Sequence, residues 1–166
     1  CRYEKMFDQD TLGPFGDSLP RLDRWTINPT TRKVSEEIID ARTQEFPRCH
    51  PGLNGKPYQY GYTVAVDGYS LPSIYKHDLK AGTSTEHKVG AGRQSAEPVF
   101  IPREGATAED DGYLMTYVFD GNKNTSDLVI LDAQDLSRPA QAQIHLPNRV
   151  PYGFHGNWVT DAEVSV

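Results

Sequence analysis

Cysteine is nearly missing from this chain. Cys1 and Cys49 form one pair at most and no CxxC spacing occurs, which excludes a disulfide framework and a structural zinc site. Long apolar runs are missing too, and no charged segment followed by an apolar one opens the chain. Neither a transmembrane helix nor a signal peptide is read, and a cytoplasmic location is expected. There is no basic excess: 17 Lys and Arg stand against 23 Asp and Glu, a net charge of -6, which argues against a phosphate-binding surface and against nucleic acid as a partner. Gly52 to Lys56 lacks the spacing of a phosphate loop, and no GxSxG nucleophile elbow exists. Glu109-Asp110-Asp111-Gly112 lacks the EF-hand spacing and reads as a solvated turn, and Asn124-Thr125-Ser126 is a formal glycosylation sequon without evidence of secretion. The first residue is Cys1 rather than Met, so the chain is expected to be a fragment.

What is present is turn chemistry and aromatic residues. With 14 Gly, 12 Pro, 9 Tyr and 6 Phe in 166 residues, the composition favours short strands between turns, an all-β class and a single domain. Residues 1–20 show no sustained period and read as a loop or insertion. From Leu22 the pattern becomes two-fold, with Trp25 and Ile27 on one face of a strand, a turn at Asn28 to Thr31, and a return strand at Lys33 to Ile39 whose SEEIID could also form one helical turn. Further strands are expected near Glu45, at Tyr58 to Val66, Ser73 to Asp78, Thr85 to Val89, Ala96 to Ile101, Tyr113 to Phe119, Asp127 to Leu131 and Ala140 to Leu146, with a last one near Phe154 to Val159.

The order of these strands repeats. A short Pro-containing strand leads to a long apolar strand and then to a hairpin whose turn carries Asp with Lys or Ser, as in IYKHDLKAG and VILDAQDLS, with WTINPTTRK as a partial copy. A four-strand unit recurring at roughly 50–60 residues suits a propeller blade with its loops. A β-sandwich also makes many short strands, but repetition favours the propeller. About two full four-stranded blades and parts of two others cannot close a ring, so an open side with unpaired apolar surface and poor stability in isolation is expected.

The innermost strands of a propeller converge on its axis, where a metal can be held. At the opening strand of successive units stand Glu45 in QEFPR, Glu97 in AEPVF and His155 in GFHGNW, two carboxylates and one imidazole at equivalent positions. A carboxylate beside Phe and Pro on a buried strand needs a donor or cation facing it, and the second N–H of a metal-bound histidine is such a donor. In the plainer reading, Glu45 and Glu97 pair with Arg48, Arg93 or Arg103 on the surface and His155 is a satisfied core histidine.

The strings EFPR with GKPYQYGY, AEPVFIPR with AEDDGYLMTYVFD, LVILDAQDLSRPAQAQIHLP and RVPYGFHGNW resemble, in spacing and order, the C-terminal third of the carotenoid oxygenase family. That family includes carotenoid and apocarotenoid cleavage dioxygenases, stilbene-cleaving dioxygenases and the retinoid isomerase of the visual cycle. The resemblance covers roughly residues 21 to 159 and leaves residues 1–20 outside, so residues 21–166 are expected to be the C-terminal blades of one propeller domain.

The resemblance implies a partial seven-bladed β-propeller with Fe(2+) on the axis, held by four histidines, three of which are oriented by glutamates. His155 then matches the last iron ligand, and Glu45 and Glu97 match two of the orienting carboxylates. The remaining ligands lie outside this chain, and His50, His77, His87 and His145 are read as non-ligands. Phe46 and Phe154 are candidates for the wall of an apolar substrate tunnel, or ordinary packing residues. The implied activity is cleavage by O2 of a double bond in an apolar conjugated substrate, a carotenoid, apocarotenoid or stilbene-type compound, to two carbonyl products. Membrane contact, if any, would come through absent segments. The alternatives are a retinoid-isomerase-like member of the same family and a metal-free propeller used as a binding module.

Overall fold

The computed structural model describes residues 1–2 and 19–164; most of the loop or insertion read at residues 1–20 lies outside the described residues. The strands are β1 (Leu22–Asn28), β2 (Lys33–Asp40), β3 (Gln44–Cys49), β4 (Tyr60–Ala65), β5 (Ser73–Asp78), β6 (Thr83–Lys88), β7 (Arg93–Ser95), β8 (Val99–Pro102), β9 (Gly112–Asp120), β10 (Thr125–Asp132) and β11 (Ala142–His145). A single 3-10 turn, Pro51–Leu53, follows β3, and the short helix α1 (Asp161–Val164) stands near the end.

Among the described residues all strand pairings are antiparallel, and all but that of β7 with β9 join sequential strands. β1 and β2 form a hairpin, β3-β4-β5-β6 a four-stranded sheet, and β7 and β8, both on β9, open a second meander that continues through β10 to β11. SEEIID is strand rather than helix. The repeat read from the sequence is present: β1, β5 and β10 each end on an Asn or Asp whose side-chain oxygen accepts the backbone N–H two residues on. The pairs are Asn28 with Thr30, Asp78 with Lys80 and Asp132 with Gln134. Such Asx turns reverse the chain without help from the core.

The two larger sheets pack face to face. Tyr62 and Ile74 of the first meet Phe100, Leu114, Val118, Val129 and Leu131 of the second, with Val89, Ala133 and Leu136 closing the cluster. Tyr62 and Phe100 stack at 5.8 Å between ring centroids. The β9 side chains alternate between buried and less buried positions, as a strand covered on one face requires. The Glu109–Asp111 turn is not the solvated turn its composition suggests. The Glu109 carboxylate accepts the N–H groups of Gln59 and Tyr60, Asp110 pairs with buried Lys76 at 2.6 Å, and Asp111 pairs with Arg103, so this loop ties one sheet to the other.

Gly112 opens β9 opposite Pro102 of its antiparallel neighbour β8. A Cβ there would collide with the Ile101 carbonyl oxygen and lie 2.7 Å from the Phe100 ring. Gly112→Ala should therefore destabilise the fold by about 1–3 kcal/mol, the usual cost of overpacking, read as a lowered midpoint in thermal or urea unfolding; an unchanged midpoint would contradict the packing described.

Two expected strands differ. Ala96 to Ile101 is strand only from Val99, in β8; Ala96-Glu97-Pro98 interrupts the ladder between β8 and the preceding β7, where Pro98 has no N–H to give. Phe154 to Val159 is not a strand: it has the aromatic content of one, but no strand among the described residues pairs with it. Trp25, Ile27, Val34 and Ile38 lie exposed on one face of the β1–β2 hairpin, the unpaired apolar surface expected of an open ring.

Candidate metal centre

The innermost strand of each sheet is broken at its glutamate. In β3, Glu45 lies opposite Val64 but Arg48 opposite Tyr62, so one residue is extra, and Phe46 takes a left-handed φ of 55°. In the second sheet Ser95 lies opposite Val118 and Val99 opposite Met115, again with one residue extra. Both breaks fall on Glu followed within two residues by Pro. A bulge re-aims the side chain it carries, which is how a strand at the end of a blade turns a carboxylate out of the sheet.

At the second break the carboxylate meets the imidazole. Glu97 Oε1 lies 3.1 Å from His155 Nδ1, and Glu97 Oε2 accepts the Gly156 N–H at 3.0 Å and a proton of Arg48 Nη2 at 2.7 Å. The Glu97 side chain is only 5% exposed. Burial alone raises its pKa, but the Arg48 guanidinium, the Gly156 N–H and His155 together outweigh that and hold the carboxyl below its ordinary range, as a carboxylate. A carboxylate at Nδ1 keeps the proton on that nitrogen, which leaves the Nε2 lone pair free to ligate. Nε2 has no hydrogen-bond partner among the described residues, and the His155 side chain is 74% exposed, so the satisfied core histidine of the plainer reading is not what the structure holds. Phe46 stands edge-on to the imidazole with centroids 5.9 Å apart.

Glu45 stands apart. Its Oε2 accepts the N–H of Phe46 at 3.0 Å, and it makes no hydrogen bond to His155. The plainer reading is half present: Arg48 does pair with Glu97, though in a buried contact across the two sheets, while Arg93 and Arg103 pair with Asp127 and Asp111. Phe46 and Phe154 line one cavity of about 300 Å³ with Glu97, His155, Met115 and Trp158.

The remaining histidines are engaged elsewhere. His50 caps the 3-10 turn by accepting the Gly52 N–H, His77 is buried against Thr63 Oγ1, His87 meets the Leu136 carbonyl, and His145 meets Asp127. Among the described residues no three His, Cys, Asp or Glu side chains cluster to hold a metal ion by themselves. The role of Gly156, whose N–H and carbonyl are both held, by Glu97 and Arg48, was missed from the sequence; its only signal is that it follows the histidine.

Known proteins resemble this chain over nearly its whole length. The family model described as Retinal pigment epithelial membrane protein, RPE65, matches residues 1–160, and so takes in residues 1–20 as well. The carotenoid cleavage oxygenase of Mycobacterium tuberculosis is 46% identical over 95% of this chain and 32% of its own length. The apocarotenoid-15,15'-oxygenase of Synechocystis is 37% identical over 94% of this chain and 34% of its own. The crystal structure of cobalt-substituted Synechocystis ACO superposes with a TM-score of 0.86 at 36% identity, covering 95% of this chain and 35% of that one. This chain thus spans about a third of the length of the curated relatives it matches. The likeness makes its two larger sheets neighbouring blades of a partial β-propeller.

Proposed function

The chain belongs to the carotenoid oxygenase family, the family of the retinal pigment epithelial membrane protein RPE65, and from that premise we propose that it is the C-terminal third of a non-haem iron dioxygenase that cleaves a carbon–carbon double bond in a carotenoid, apocarotenoid or stilbene-type substrate. The observation that carries this reading is the 3.1 Å contact between buried Glu97 and His155 Nδ1 at the wall of an apolar cavity.

The residues fit the metal as part of its site. His155 offers one neutral imidazole nitrogen, a donor suited to Fe(II), and Glu97 fixes its tautomer without itself adding a negative charge to the metal. Glu45, free of any imidazole in this chain and placed at the matching bulge, would orient a second histidine contributed by the rest of the protein. When bound, the iron supplies activation of dioxygen, the chemistry that converts the double bond into two carbonyl groups.

This chain's own residues do the positioning. Glu97 holds the His155 ring by its Nδ1 proton, and Phe46 limits its rotation from the edge. Phe46, Met115, Phe154 and Trp158 give the cavity apolar surface on which a conjugated hydrocarbon displaces water favourably.

The test uses the full-length protein: iron analysis, followed by incubation with a panel of carotenoids, apocarotenoids and stilbenes with and without O2. Stoichiometric iron and O2-dependent formation of paired carbonyl products are expected. The isolated 166-residue chain should show neither, since one imidazole cannot retain Fe(II). An iron-free full-length protein, or tight stoichiometric iron on the isolated chain, would overturn the reading.

A further inference from the structure

We infer that Arg48 is a positioning residue for the metal ligand: reaching from the β3 bulge of one blade to the Glu97–His155 pair of the next, it sets where the imidazole stands. The inference rests on the reading of His155 as a metal ligand. Its ground is the way the segment carrying His155 is attached. Residues 151–160 contain no strand, and after the Val150 N–H, which bonds Ser126 Oγ, the hydrogen bonds of this segment to the other described residues are made by His155 and Gly156. His155 Nδ1 meets Glu97 Oε1, the Gly156 N–H goes to Glu97 Oε2, and the Gly156 carbonyl accepts from Arg48 Nη2.

Arg48 Nη2 donates to Glu97 Oε2 at 2.7 Å as well as to that carbonyl. One nitrogen therefore fixes both the carboxylate that orients the ring and the peptide that follows it. A planar guanidinium is suited to this, since it presents its donors in a rigid fork. The Arg48 Nε is buried without a partner, so nothing on its own strand holds the head group; its two contacts at Nη2 do. Without Arg48, Glu97 would keep His155 and the Gly156 N–H but lose its strongest donor, and Gly156 would be held at its N–H alone. The imidazole would then sample a wider range of positions relative to ligands supplied from elsewhere, and a metal site tolerates little such spread.

The test compares full-length wild type, Arg48→Ala, Arg48→Lys and His155→Ala by titrating apo-protein with Co(II), reading affinity and the visible ligand-field bands. Arg48→Ala is expected to weaken Co(II) binding about 10- to 100-fold and to shift the bands, while Arg48→Lys, which restores a cation at that place, recovers part of both. A purely structural Arg48 would lower the melting temperature and leave affinity and bands of the folded protein unchanged; that result overturns the inference. So does failure of both Arg48 variants to fold, which would make the residue an anchor of the fold. His155→Ala separates the two claims: if it binds Co(II) like wild type, the ligand reading itself fails, whereas loss there with an unaffected Arg48→Ala defeats only the role given to Arg48.

Discussion

His155→Ala in the full-length protein is expected to bring iron content to background and abolish turnover, with a melting temperature close to that of the metal-free wild type. The asymmetry follows from where the ring stands. Its side chain is 74% exposed, so truncation removes little packing. What is lost is the Nε2 lone pair, which nothing else in the described residues replaces, since His50, His77, His87 and His145 are committed to other partners. The truncation also leaves Glu97 without its imidazole, but Arg48 and the Gly156 N–H still satisfy that carboxylate, so the buried charge is not orphaned. Metal analysis by mass spectrometry beside a thermal melt checks both halves. Wild-type iron in a folded His155→Ala protein would remove His155 from the metal site.

How far the sequence reaches depends on whether a feature is local. The hairpin ends at Asn28, Asp78 and Asp132 are legible because an Asx turn is made by residues two apart, and β9 and β10 are legible because their apolar, aromatic and β-branched runs suit a covered strand. The break at Glu97 is half legible: Pro98 shows that a ladder is interrupted, but which residue is extra depends on the register against β9, a partner many residues away. Phe154 to Val159 looks like a strand because aromatic content reports fitness for a pleated surface and says nothing of whether a neighbouring strand is there.

The candidate site divides in the same way. Glu97 and His155 came from repeat position and resemblance; the two side chains are in contact, although His155 stands on no strand. Glu45 sits at the matching bulge, yet its carboxylate accepts the N–H of its own neighbour Phe46 and meets no imidazole among the described residues. Arg48 reads locally as the partner of its strand neighbour Glu45, but bonds a carboxylate 49 residues away. Only the packing of one blade against the next decides between the two.

Glu97→Gln is expected to preserve the fold and to lower metal affinity or turnover about 10- to 100-fold. The amide is nearly isosteric with the carboxylate, but it has one acceptor where the site needs two. Glu97 receives an imidazole N–H on one oxygen and two further donors, the Gly156 N–H and Arg48 Nη2, on the other. If the glutamine oxygen turns to His155, its NH2 group faces a guanidinium and an N–H, donors against a donor. If it turns the other way, the NH2 faces Nδ1, and the neutral ring answers by carrying its proton on Nε2, the nitrogen needed for the metal. Either orientation costs affinity, the first by loosening the segment that carries the ligand and the second by choosing the wrong tautomer. Because the guanidinium and the carboxylate act through one contact, Glu97→Gln combined with Arg48→Ala should lose less than the two losses multiplied. Metal titration and steady-state turnover of the folded variants measure this. Unchanged turnover in Glu97→Gln would mean that the contact at Nδ1 does not orient the ligand.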